Sequence, residues 1–340
     1  MRYWTVIRTV VSAALLGLVL AWGGTSHAVH ALLNVQPMPL VLGIVGLTVC
    51  RLLRAARWFV LARASGLAIP LLQLFRVWMV TDFLGMFVPL SGGVDVLNVV
   101  GLSRYTGNNV TAASVVLIDR MLGALVLALA ASVATMAAGA SAAVPVPSSW
   151  IAAVVLCALG TCAAVTFPFH PTGHRVATAL TARLHWQRLG MRLQRVYDAS
   201  YEFRNRGRAL WQVAGIVLIN QGIGAASIYG LSEALNLGVP FVFYLIAIPV
   251  LNIVEMLPLS VGGVGVAEGA LTSMLVGVGV AVERSVALAL LYRVVWIAMA
   301  LPGGILYATG GLLAHRDAKH RSLASDVLGD RLGQSGRVKR

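Results

Sequence analysis

Charge is scarce in this chain. Only 11% of its 340 residues are Asp, Glu, Lys or Arg, against roughly 25% in soluble domains, which excludes an ordinary soluble globular fold. Acids are scarcer still, at 12 against 26 Lys and Arg. The three cysteines, Cys50, Cys157 and Cys162, are odd in number and set in apolar segments. They supply neither a disulfide framework nor metal-ligand spacing, and read as small packing residues. The seven histidines form no His-Glu-x-x-His pair, and Pro171 spoils the helical spacing of His170 and His174. Gly-x-Ser-x-Gly and P-loop patterns are missing too. The Gly-Gly-Val-Gly run at 262–265 sits in an apolar stretch, where it has no use as a phosphate loop. No catalytic residue, metal or cofactor is therefore assigned.

What the chain does have is apolar length. With 59% apolar residues and a mean hydropathy of +0.84, it reads as an all-α polytopic membrane protein. Its length suits about eight spans of about 20 residues. The net charge of +14 gathers in a few inter-span segments and the tail, the positive-inside pattern. That points to anionic lipid headgroups as partner rather than nucleic acid.

Two stretches break the helical pattern in the same way. Phe87-Val-Pro-Leu-Ser-Gly-Gly-Val-Asp95 and Leu257-Pro-Leu-Ser-Val-Gly-Gly-Val-Gly-Val-Ala-Glu268 are apolar, yet Pro89, Gly92 and Gly93 in one, and Pro258, Gly262, Gly263 and Gly265 in the other, forbid a continuous helix. Backbone broken at membrane depth survives only when packed in protein or lining a wet cavity, and transporters place binding sites at such breaks. Each break reaches an acid, and each acid is followed at the same spacing by an arginine: Asp95 by Arg120, Glu268 by Arg293. The order of proline, glycines, acid and arginine marks an internal repeat.

Spans are expected at 4–24, from 39 into Arg51, Arg54, Arg57 and Arg63, and at 69–89, 111–138, 150–168, 209–231, 240–257 and 286–311. Short segments follow the breaks, at 94–103 and 264–281. Ser26-His27-Ala28 has the small-residue look of a signal-peptidase site, but the repeat argues for a retained first span. The four arginines from 51 to 63 are read as a cytoplasmic loop with snorkelling side chains. The basic segment 170–208 is read as one or two amphipathic helices on the cytoplasmic leaflet or a solvated connector, and 315–340 as a disordered cytoplasmic tail. These divisions give a first repeat, 1–145, and a second, 146–314. With both termini inside, parity turns the two breaks toward opposite faces, an inverted-topology repeat. Labels at positions 142 and 235 are then expected outside.

Six carboxylates, half the acids, fall in or beside spans: Asp82, Asp95, Asp119, Glu255, Glu268 and Glu283. A charge near the bilayer centre costs about 2.5–3.5 kcal/mol on insertion scales, so such groups face a cavity or one another. Asp95, Arg120, Glu268 and Arg293 are the leading candidates for a substrate-binding cavity, with Asp82, Asp119 and Glu255 beside them. Structural ion pairing is the competing reading. Glu283 and Arg284 read as span-boundary residues, and Arg76 and Arg104 as interfacial anchors.

Together with Arg57-Trp58, Ile118-Asp119-Arg120 and Tyr292-Arg293, the two break motifs resemble the transmembrane region of lysylphosphatidylglycerol synthases, a flippase-like family, over about residues 5–310. The resemblance implies an inner-membrane protein that moves a phospholipid or lipid-linked glycan between leaflets, with a glycosyltransferase as possible partner. The family usually has arginines where this chain has Ala267 and, nearby in the first motif, Asn98, so phosphate binding would fall to Arg120 and Arg293. The soluble aminoacyl-transferring domain is not in this sequence, so synthesis of lysyl-lipid is not expected of it. The alternatives are a membrane-embedded transferase using Asp95 or Glu268 as general base, and an accessory scaffold in lipid or glycan biosynthesis.

Overall fold

The computed structural model describes residues 35–88, 93–141, 148–167, 187–256 and 265–309. They form ten α-helices with no strand among them. These are α1 (Pro37–Ala64), α2 (Leu71–Gly85), α3 (Gly93–Thr106), α4 (Asn109–Ser141), α5 (Ser148–Thr166), α6 (Gln187–Tyr201), α7 (Gly207–Ala234), α8 (Phe241–Met256), α9 (Val266–Gly277) and α10 (Val282–Ala308), with a 3-10 turn at Glu202–Asn205. Among the described residues four helices are long and apolar enough to cross a membrane: α1, α4 (over Asn109–Met136), α7 and α10. Their outer faces carry exposed apolar side chains such as Val41, Leu42, Val133, Leu218 and Ile297, the surface that lipid, not water, would cover.

Four of the eight expected spans are thus confirmed among the described residues. The helices flanking the breaks have 15 and 14 residues in the first half and 16 and 12 in the second. At 1.5 Å per residue each reaches only about 18–24 Å, short of a hydrocarbon core of about 30 Å. The segment after the first break, expected at 94–103, is the longer helix α3. A second correction concerns Arg51, Arg54, Arg57 and Arg63. They form no loop, because α1 runs unbroken through all four.

In the first half the two short helices fold back on each other. Gly101 packs on Val77 and Thr81, while Gly85 packs on Val94, so positions later in α3 meet positions earlier in α2, an antiparallel hairpin. Of the break residues, Gly93 opens α3 and Gly265 caps α9; Pro89, Gly92, Pro258, Gly262 and Gly263 lie outside the described residues. So do the first span at 4–24, the tail at 315–340, and 170–186 of the basic segment. The remainder of that segment, α6 and its 3-10 turn, docks on the protein through buried Ser200 and Phe203.

The helices α1–α4 and α7–α10 follow the same order, a long helix, two short ones and a long one. Both α1 and α7 have 28 residues and end in the same turn. The Leu67 N–H donates to Ala62 O and Gly66 N–H to Arg63 O; the Leu237 N–H donates to Ser232 O and Asn236 N–H to Glu233 O. This is the Schellman pattern, with its left-handed residue at Gly66 (φ 80°) and Asn236 (φ 54°). Contacts between elements repeat as well: α2 packs on α10 and α8 on α4, while α1 packs on α7.

The α1–α7 pair runs antiparallel. Gln36 at the start of α1 donates to Ala234 O at the end of α7, and Cys50 Sγ approaches Asn220 O at 3.5 Å, across a sequence separation of 170. That separation is the offset between the two Schellman turns, so Cys50 meets its own counterpart. The arrangement makes two cores, each closed by the other half. Leu74, Val77, Leu102 and Ile118 pack with Val213 and Val217 of α7. Tyr244, Ile248, Leu271 and Leu288 pack with Leu40, Ile44 and Leu47 of α1.

Candidate functional site

Each acid that follows a break is the third residue of its helix, Asp95 in α3 and Glu268 in α9. A carboxylate in the first turn is favoured by the exposed N–H groups and the dipole there. Glu268 uses this position fully: its Oε2 accepts from the Gly265 N–H at 2.7 Å, the reach-back half of a capping box. Its Oε1 accepts from Arg293 Nε on α10. In the first half Arg120 Nε on α4 donates to Asp95 Oδ1 at 2.7 Å. Both pairs join residues 25 apart in sequence, so the duplicated spacing corresponds to a duplicated contact.

The two pairs differ in exposure. The Glu268 and Arg293 side chains are 2% and 12% accessible, those of Asp95 and Arg120 31% and 41%. Arg293 also lies over the Trp296 ring, 5.3 Å from its centroid. The second-half pair is built into the packing, and the first-half pair is open.

Two further pairs stand beside them. Arg51 Nη2 donates to Asp82 Oδ2 at 3.1 Å and Arg57 Nη2 to Asp119 Oδ2 at 2.9 Å. Arg51 reaches the Trp296 carbonyl too, at 3.4 Å, tying α1 to α10. All these arginines, with Asp82, Asp95 and Asp119, line one cavity of about 610 Å³ enclosed by residues from both halves. That is within the roughly 300–1,000 Å³ of small-molecule sites.

Asp82 and Asp119 thus join Asp95 and Arg120 at the cavity. Glu268 stands behind it, holding Arg293 at the wall. Glu255 lies in α8, its side chain outside what the structure describes. Arg76, Arg104, Glu283 and Arg284 are exposed and away from this cluster. Sequence reasoning missed Arg51, Arg54 and Arg57. The usable signal was their spacing of three residues, which puts them on adjoining faces of one helix.

Repetition stops at the shared acid–arginine pair. At the offset of 170 the counterparts of Arg51, Arg54 and Arg57 are Gln221, Gly224 and Ser227, and that of Asp82 is Asn252. Tyr292 precedes Arg293 where Asp119 precedes Arg120. The cavity's extra charge therefore comes from the first half alone.

Among known families, the model of the lysylphosphatidylglycerol synthase TM region matches residues 5–304. No curated protein and no solved structure matches the chain.

Proposed function

The chain belongs to the lysylphosphatidylglycerol synthase transmembrane-region family, and from that premise we propose that it is a lipid translocase, moving a phospholipid or lipid-linked glycan between leaflets. The observation that carries this reading is the cavity: about 610 Å³ in volume, charged, and lined from both halves beside the two helix breaks. A headgroup would enter it while the acyl chains stay in lipid, and rocking of one repeat against the other would open it alternately. Asp95 and Arg120, half open to the cavity, are the headgroup contacts, and Glu268 with Arg293 forms the rigid counterpart.

The antiparallel α1–α7 contact supports an inverted repeat. Where counterparts Cys50 and Asn220 touch, the two-fold axis runs across the helices and so lies in the membrane plane, turning the two hairpins toward opposite faces. In this reading the protein sits in the inner membrane with both termini cytoplasmic. Labels at positions 142 and 236 should then both react from outside. Asn236 replaces the neighbouring position 235 because Leu235 is buried. Protection of either label in intact cells, with reaction after lysis, would overturn the topology.

The transport test is reconstitution into vesicles carrying fluorescent phospholipids or polyprenyl-phosphate lipids. The wild type is expected to move at least one class, and Asp95→Asn and Arg120→Ala to slow it by about tenfold or more, the scale of one charge-assisted contact. Because that pair is open, both variants should stay folded. Folded wild-type protein that moves none of these lipids would sink the proposal.

A further inference from the structure

Five arginines line the cavity: Arg51, Arg54, Arg57, Arg120 and Arg293. Four of them are in ion pairs, with Asp82, Asp119, Asp95 and Glu268. Arg54 has no carboxylate at ion-pairing distance among the described residues. Its guanidinium lies 5.8 Å from the Trp78 ring centroid, beside that of Arg51 at 5.7 Å, and the residue is exposed. Two cations over one indole repel each other, and the carboxylate nearest them is engaged by Arg51. An anion arriving at Arg54 relieves both costs.

A second observation is independent of that count. Buried side-chain atoms of residues lining this cavity lack hydrogen-bond partners among the described residues. The donors are Arg51 Nη1, Arg57 Nε and Gln221 Nε2; the acceptors are Asn98 Oδ1, Asn220 Oδ1 and the second oxygen of Asp119. Buried polar groups are nearly always satisfied, so a cluster of this kind around one cavity points to a missing partner. That partner must offer oxygen atoms to the donors and hydrogen atoms to the acceptors.

Resting on the translocase reading for taking the cavity as a lipid site, we infer that it is built for a singly charged phosphodiester bearing free hydroxyl groups, with Arg54 as its anion contact. One surplus cation matches one negative charge, whereas a diphosphate brings at least two. A choline headgroup has no hydrogen to give Asn98, Asn220 or Asp119; glycerol or a sugar has several. The same chemistry occurs on phosphatidylglycerol and on a polyprenyl monophosphate sugar.

The test is displacement of fluorescent phosphatidylglycerol from the full chain in detergent, by phosphatidylglycerol, phosphatidylcholine, a polyprenyl monophosphate hexose and a polyprenyl diphosphate. One or both hydroxylated phosphodiesters should compete about tenfold better than phosphatidylcholine and the diphosphate, and which of them does so identifies the source. Arg54→Ala should weaken binding about tenfold, as loss of a charge-assisted hydrogen bond does, with Arg54→Lys intermediate. Asn98→Leu should narrow the preference over phosphatidylcholine. Equal competition by all four lipids, or wild-type affinity in folded Arg54→Ala, would overturn the assignment. Transbilayer movement without Arg54 dependence would sink this inference and leave the translocase standing; selective binding without movement would do the reverse.

Discussion

Replacing Arg293 with alanine destabilises the protein by about 3–5 kcal/mol, the cost of leaving one member of a buried ion pair without its partner. The carboxylate stranded by this change is Glu268, only 2% accessible and still bound to the Gly265 N–H. Among the described residues Arg293 is its ion-pair partner, and the capping bond holds it at the start of α9. Arg120→Ala removes the corresponding arginine of the first half, yet should cost only about 0–1 kcal/mol, because Asp95 and Arg120 are open enough for solvent to screen them. The contrast reads as a large fall in melting temperature for one variant and almost none for the other. Combining Arg293→Met with Glu268→Gln should recover much of the loss, since exchanging both partners for neutral groups of similar size is often near neutral. Equal shifts in the two halves would mean that the pairs carry the same structural load, against the difference in burial.

Gly303→Val produces a comparable loss through packing alone. A Cβ at Gly303 would overlap the Met79 carbonyl oxygen and stand 2.7 Å from its carbonyl carbon. Backbone cannot rotate aside as a side chain can, so α10 must withdraw from α2. Between helices in lipid the hydrophobic effect gives no drive, and close approach over small residues supplies the attraction. The expected cost is about 3 kcal/mol or more, at the upper end for overpacking, together with loss of the proposed lipid movement as the α2–α10 wall opens. Gly304→Ala makes a useful comparison: the atoms nearest its Cβ belong to the Phe83 ring, at 2.7 Å, a side chain that can turn away. A small shift for Gly304→Ala beside a large one for Gly303→Val fits this geometry; the reverse order would contradict it.

Much of this was legible in the sequence, and the parts that were not have physical reasons. The repeated breaks could be read because proline and glycine in apolar sequence have few other uses. The pairs Asp95–Arg120 and Glu268–Arg293 could be read because equal spacing in two places fixes a contact without any knowledge of the fold. Arg51 and Arg57 could not. An arginine near the end of an apolar run looks the same whether it snorkels to an interface or turns inward, and only α2 and α4 arriving beside α1 decide between them. Asp82 and Asp119 were recognised as costly, but their partners lie 31 and 62 residues away with no second copy to reveal them. The shortness of α2 was hidden for a related reason, since hydropathy over 69–89 does not say that the helix stops at Gly85 and doubles back. Glu255 was read on the same grounds as the others and stays an expectation.

The sharing of α1 and α7 between the two cores also sets an order of assembly. The first half's helices are synthesised and inserted well before Val213 and Val217 exist to close their core. At about 5–20 residues per second, the ribosome needs roughly 5–20 s to travel from Ala112 to Val213. Throughout that interval the first hairpin and the part-buried arginines of α1 beside it stand half-walled in the membrane, open to chaperones, lipid or premature degradation. Maturation therefore waits first on α7 and then on α10, which closes on α2, and a chain cut short before them should be cleared rather than accumulate as a working half.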